Sequence, residues 1–165
     1  MLKILIKYLI PVAFFVSIFF FFSVEKGGFF YTDTHSMEPT IEPGDKMALI
    51  KVTAVKRGDI IIFKDPKDTG TYLVKRVIGL PGDTVEVADK KLYLNGNPTD
   101  EPYLKESFII YRYALNQVPP EKLFVLGDNR NNSDDSSLWG FLPKEDIRGK
   151  VLFRYWPANR LGRIR

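Results

Sequence analysis

Few residues of this chain can do covalent chemistry, and that scarcity narrows the chemistry. Among 165 residues there is no cysteine and one histidine, which removes a thiolate nucleophile, a disulfide framework, a cysteine metal site and a histidine-based zinc cluster. A serine hydroxyl remains. Ser36 is the candidate, in Thr34-His35-Ser36-Met37-Glu38-Pro39-Thr40-Ile41-Glu42-Pro43-Gly44-Asp45, where Pro39 and Pro43 fix φ and push the residue before each toward an extended conformation. The segment reads as a short, stiff loop that presents one side chain. Taken alone, it reads more readily as an ordinary turn with a solvated serine; other features of the chain reverse that reading.

A serine nucleophile needs a base. His35 adjoins Ser36, but neighbouring side chains of an extended segment point in opposite directions, so its imidazole is poorly placed to take the proton. Lys75 is the alternative, embedded in the apolar run Thr71-Tyr72-Leu73-Val74-Lys75-Arg76-Val77-Ile78-Gly79, with Leu73 and Val77 on its face and Arg76 on the other. An ordinary lysine is protonated at neutral pH; lowering its pKa to about 8 takes roughly 3 kcal/mol of differential desolvation, which burial supplies. Snorkelling at a strand edge is the competing role. Thr34, two residues before Ser36, falls on the same side and is positioned to act with the Ser36 N–H as an oxyanion donor.

The polar loop Gly127-Asp128-Asn129-Arg130-Asn131-Asn132-Ser133-Asp134-Asp135-Ser136-Ser137 invites a calcium reading, but Arg130 and Ser133 stand where an EF-hand requires an oxygen ligand and a glycine. The reading preferred here is a hydrogen-bonded support in which Ser133 and Asp135 orient the lysine while Asp128, Asn129 and Arg130 brace the loop. No metal and no cofactor is expected.

The elements that must position these groups follow from patterning. Tyr8 to Val24 holds no charged side chain; as a helix it is about 26 Å long, near the hydrocarbon thickness, with an insertion energy on the order of −4 to −7 kcal/mol. Glu25-Lys26 occupies the place of a small-x-small cleavage site, so an uncleaved anchor is expected rather than a removable leader. Lys3 and Lys7 put the start in the cytoplasm by the positive-inside rule. Residues 1–26 are then the anchor, and residues 27–165 one outward-facing domain that begins near the interface with Phe29-Phe30-Tyr31. Strands are expected at Lys46 to Val52, Ile60 to Phe63, Thr71 to Gly79, Thr84 to Val87, Lys91 to Leu94, Ser107 to Tyr113, Leu123 to Leu126 and Gly149 to Tyr155, with Asn95-Gly96 a hairpin turn and a helical turn near Lys144 to Ile147. The region from Pro98 to Pro120 is poorly patterned and reads as a surface excursion. No later stretch is periodic over a substantial helix, so the domain is mainly β. A net charge of +4, spread apart from Arg160, Arg163 and Arg165, gives no nucleic-acid footprint; the basic tail fits anionic lipid headgroups as well or better.

Three segments together resemble the type I signal peptidases, membrane-anchored serine proteases. Ser36-Met37-Glu38-Pro39-Thr40 with Pro43-Gly44-Asp45 resembles the nucleophile segment, Tyr72 to Asp83 the general-base strand, and Gly127 to Ser136 with Trp139-Gly140 the third motif; Leu92-Tyr93-Leu94-Asn95-Gly96 extends the likeness over nearly the whole chain. The resemblance implies a Ser36–Lys75 dyad, Thr34 in the place of an oxyanion-hole serine, Ser133 where a serine holds the lysine, Asp135 in a supporting acidic position, and Met37 packed near the substrate. It further implies a β-rich, barrel-like catalytic domain on the outer face of the cytoplasmic membrane, which binds preprotein signal peptides as an added extended strand and cuts after Ala-x-Ala-like ends. Ser137 departs from the family pattern, which has an arginine there; the arginine–Asp135 salt bridge is expected to be missing. Two rival readings are a maturation peptidase dedicated to one conjugation, pilus or secretion substrate, and a tethered β domain that binds peptides without cutting.

Overall fold

A computed structural model of the chain describes residues 28–52 and 54–164, together with 8, 9, 11 and 12. Among the described residues no helix is long and apolar enough to cross a membrane. The expected anchor, Tyr8 to Val24, lies outside the described residues apart from the four just named.

The strands are β1 (Gly28–Tyr31), β2 (Lys46–Ile50), β3 (Ile60–Lys64), β4 (Tyr72–Gly79), β5 (Thr84–Ala88), β6 (Lys91–Leu94), β7 (Asn97–Pro98), β8 (Tyr113–Gln117), β9 (Lys122–Leu126), β10 (Leu142–Pro143), β11 (Ile147–Trp156) and β12 (Gly162–Arg163). The large sheet runs β1-β2-β11-β3-β4-β9-β10 with β12 paired to β11, and a second sheet runs β7-β6-β5-β8. Every paired ladder is antiparallel. The expectation of a mainly β domain holds, and the longest α-helical element after residue 27 is the single turn Ser136–Trp139.

β3 shows why an unbroken apolar run still makes a strand. Ile60 and Ile62 join one core cluster with Met37, Ile41, Met47, Leu49, Val74 and Val151, while Ile61 and Phe63 join another with Val77, Leu123, Val125 and Leu142. Alternation therefore feeds two cores, one on each face of the strand. β9 divides in the same way: Leu123 and Val125 go to the second of these clusters, and Phe124 and Leu126 to a third beneath the small sheet. β4 pairs with both, Lys75 opposite Ile61 and Arg76 opposite both Ile60 and Leu126, so Lys75 lies in the middle of the sheet and not at an edge.

Two expectations about elements need correction. The strand expected at Ser107 to Tyr113 forms instead at Tyr113–Gln117. Ile109 N–H donates to Lys90 O, and Ile110 N–H to the Asn131 side chain, so this backbone is held by loop partners and not by a ladder. The region from Pro98 to Pro120 is also more than a surface excursion, because Ile109 is buried in the small-sheet core and the Glu101 side chain is 4% exposed against Arg130. The Asn95-Gly96 turn joins β6 to β7 as expected. A further hairpin, β5 to β6, turns on Asp89 and Lys90, both with positive φ, the geometry a two-residue hairpin demands.

Candidate active site

Ser36 follows β1 in the loop that returns through Pro43-Gly44-Asp45 to β2. The loop is stitched back on itself by Ile41 N–H to Met37 O, Gly44 N–H to Thr32 O and Glu42 N–H to the Asp45 carboxylate. It is also held across the chain. Asn129 donates its backbone N–H to Ser36 O at 3.1 Å and its side-chain amide to His35 O at 2.9 Å. The Thr40 hydroxyl donates to Asp128 Oδ2 at 2.5 Å.

The structure brings Ser36 and Lys75 together. Lys75 Nζ donates to Ser36 Oγ at 2.7 Å and to Val74 O at 3.1 Å, and Lys75 is 2% exposed. Burial lowers its pKa from the ordinary 10.5 to about 8, against the opposing pull of the Asp135, Asp134, Asp128 and Asp65 carboxylates. A proton lost at that value leaves an amine whose lone pair lies on the line to the serine hydroxyl. Thr34 Oγ1 lies 3.3 Å from Ser36 Oγ, the same-side placement that extended spacing predicts. Ser36 N–H makes no backbone hydrogen bond among the described residues. His35 turns away, its Nδ1 2.6 Å from Glu38 Oε1.

The third-motif loop braces the dyad, though not as the sequence suggested in every detail. Asp135 is fully buried; it accepts from Gly127 N–H at 3.0 Å, Ser137 N–H at 3.0 Å and the Ser137 hydroxyl at 2.7 Å, and caps the turn Ser136–Trp139. As expected, no guanidinium reaches Asp135 among the described residues, and Ser137 supplies neutral donors in its place. Ser133 is a correction: its buried hydroxyl has no partner among the described residues, and the Lys75 hydrogen bonds go to Ser36 and Val74. It sits instead against Gly127, where an added Cβ would be 2.3 Å from Ser133 Oγ and 2.4 Å from Ser36 O. Met37 is a second correction. It is 1% exposed inside the core cluster, because alternation turns it inward when Ser36 faces the cleft. It packs the loop onto the sheet and lines no part of the cleft.

Asp128 and Arg130 brace the loop as the sequence suggested, but sequence reasoning missed the groups that pair with them. Arg76, next to Lys75 on β4, forks onto Asp128 at 2.8 and 2.7 Å with both side chains buried, and Tyr103 stacks on its guanidinium at 3.9 Å. Arg130 donates to Gly127 O at 3.0 Å and pairs with Glu101. A cation inside an apolar strand demands a buried carboxylate, so Arg76 itself was a usable signal; nothing in the unpatterned region singled out Glu101.

A groove of about 380 Å³ opens on the dyad, walled by residues 30–36 on one side and 72–75 on the other, with Asn132 and Asp134 at its margin. Two extended walls with a nucleophile between them suit an extended peptide. A family model described as signal peptidase, peptidase S26, matches residues 2–156. The probable signal peptidase I-1 of Synechocystis is 43% identical over 145 residues, covering 81% of this chain and 74% of its own. The signal peptidase I of Leptolyngbya laminosa is 39% identical, covering 81% and 71%, and the signal peptidase IB of Staphylococcus aureus is 36% identical, covering 75% of each. A crystal structure of a signal peptidase I from Enterococcus faecalis superposes with a TM-score of 0.53 at 37% identity, over 61% of this chain and 98% of that one. A buried serine–lysine pair at the floor of a peptide-width groove and a family match over nearly the whole length agree: the chain belongs to the signal peptidase family, peptidase S26.

Proposed function

We propose that this protein, a signal peptidase I and hence a serine endopeptidase, cuts preproteins with Ser36 as nucleophile and Lys75 as general base. The observation that carries the assignment of roles is the 2.7 Å contact between Lys75 Nζ and Ser36 Oγ inside the fold. Neutral Lys75 takes the hydroxyl proton as Ser36 Oγ attacks the scissile carbonyl. Negative charge then develops on the carbonyl oxygen, where the Ser36 N–H and the Thr34 hydroxyl serve as donors. Collapse breaks the peptide bond, and the Lys75 ammonium gives its proton to the leaving amine, so Ser36 holds the signal peptide as an ester. Lys75, neutral again, takes a proton from a water that attacks this ester; acid and free Ser36 are released. Asp135 steadies the Gly127 turn beside this site, and Ser133 fills the space against Gly127.

The substrate reading is a preprotein laid as a strand between residues 30–36 and 72–75, with small residues in an Ala-x-Ala-like end before the cut. The topology reading places residues 1–26 as cytoplasmic start and membrane anchor and residues 27–165 on the outer face, with lipid as the second partner. The length and charge-free character of Tyr8 to Val24 support it.

The test is cleavage, read by mass spectrometry, of a panel of preproteins with Ala-x-Ala sites by the detergent-solubilised full chain. Cutting after the second alanine by wild type, lost in Ser36→Ala and Lys75→Ala, is the expected result. Cutting of a single dedicated substrate would replace the general peptidase with a maturation peptidase. An inert wild type would leave peptide binding without cleavage.

A further inference from the structure

The nucleophile loop is gripped from a second side by residues far away in sequence. Arg154 on β11 donates through Nη1 to Thr40 O and to Asp45 Oδ2, each at 2.9 Å, and through Nε to Arg160 O at 2.6 Å. Arg160, in the turn Ala158–Arg160, donates through Nη2 to Pro39 O at 3.1 Å and through Nη1 to Asp45 Oδ1 at 3.3 Å, and pairs with Glu42 at 2.7 Å. Asp45 is 1% exposed. The carbonyls of Pro39 and Thr40 belong to a turn that no ladder pairs, so they need donors from elsewhere. The planar fork of a guanidinium offers donors to a carbonyl and a carboxylate in a fixed geometry, whereas an ammonium is a compact point charge on a flexible stem.

From these contacts we propose that Arg160 is a positioning residue for the reaction: acting through residues 37–45, it holds Ser36 Oγ on the line to Lys75 Nζ. Asn129 and Asp128 fix one flank of the loop, Arg154 and Arg160 the other, and the nucleophile stands between them. Arg160 follows the stretch that the family model matches, which ends at residue 156, so this half of the clamp was not part of that match. Neither guanidinium hydrogen-bonds a residue of the groove walls at 30–34 or 72–75, and the loop they hold hydrogen-bonds the wall only at Thr32 among those residues, so the larger effect of losing the clamp falls on the chemical step. The inference rests on the reading of Ser36 as nucleophile. It also replaces a lipid role for Arg160, whose guanidinium is committed to the loop, whereas Arg163 on β12 is exposed and makes no side-chain hydrogen bond or ion pair with residues 36–45.

The test measures kcat and KM separately on the full chain in neutral detergent, with and without anionic lipid, for wild type, Arg160→Ala, Arg160→Lys, Arg163→Ala and Ser36→Ala. A nucleophile displaced by a fraction of an ångström is expected to lower kcat of Arg160→Ala roughly tenfold while KM stays within about twofold. Arg160→Lys recovers part of that loss, and Arg163→Ala matches wild type. An unchanged kcat in Arg160→Ala overturns the proposal, as does a rise confined to KM, or an equal lipid-dependent loss in Arg160→Ala and Arg163→Ala. If Arg160→Ala fails to fold, Arg160→Lys decides: a kcat loss at unchanged KM and folding supports the clamp, and full activity sinks it. Residual activity in Ser36→Ala would instead remove the nucleophile reading on which the clamp depends.

Discussion

Lys75 is a group the fold holds at a cost, and the cost has a sign that can be measured. Its folded pKa of about 8 lies below the ordinary 10.5, so between those values the unfolded chain binds more protons than the folded one and stability rises with pH. Below about pH 8 the full penalty of the buried ammonium applies, roughly 3 kcal/mol at most for a shift of this size. Lys75→Met is therefore expected to raise stability at pH 7 by roughly 1–3 kcal/mol, less whatever the Ser36 hydroxyl loses in partners, and the gain shrinks as pH climbs toward 10. Urea titrations at pH 7 and pH 10 check this, and a loss of stability at pH 7 would mean that the lysine is not desolvated as described. Lys75→Arg keeps the charge but cannot deliver a neutral base, so cleavage should fall by about 10²–10⁴ or more. Ser137→Ala removes one of the three donors that hold Asp135; a several-fold loss of kcat is expected, and wild-type rates would show that the backbone donors suffice.

At the scale of elements, the site is made where β4, the loop before β2 and the loop after β9 meet. Gly127 is the closest approach among them. Gly127→Ala would put a methyl group onto the Ser36 carbonyl, and since a displacement of about 1 Å costs on the order of 10² in rate, activity should fall by about that factor while circular dichroism still reports a β fold. An active Gly127→Ala would show that the loops part without harm. Arg76→Met leaves Asp128 as a buried, unpaired carboxylate; breaking a pair of this kind costs roughly 3–5 kcal/mol, a loss that thermal denaturation would reveal. Much of this frame was legible beforehand, because β-branched runs such as Ile60 to Phe63 and turn pairs such as Asn95-Gly96 declare themselves locally. The Ser36 and Lys75 segments were legible for the same reason, each being a local pattern. Met37 was misread because position beside a nucleophile does not reveal which face of the loop is buried. Ser133 was misread because a hydrogen bond depends on a rotamer and not on spacing. Glu101 was invisible and Arg160 was read only as part of a basic tail because their partners lie far away in sequence, Arg130 for one and the turn at Pro39 for the other.

For the whole molecule, the proposed anchor and the β domain divide the labour between location and chemistry. Deleting residues 1–26 should leave a folded domain that cleaves a short peptide yet no longer sediments with lipid vesicles; equal sedimentation of the two forms would assign membrane attachment to the β domain. The reaction itself depends on the complete fold, since the core clusters keep water from Lys75 while the loops hold Ser36 against it. The most direct measurement is the pH dependence of single-turnover cleavage by the full chain between pH 6 and 10, for wild type, Lys75→Ala and His35→Ala. A rising limb centred near pH 8, unchanged in His35→Ala and abolished with activity in Lys75→Ala, is the predicted result. A limb centred near the ordinary histidine value of about 6.5 that disappears in His35→Ala, or a rate indifferent to Lys75, would contradict the serine–lysine dyad.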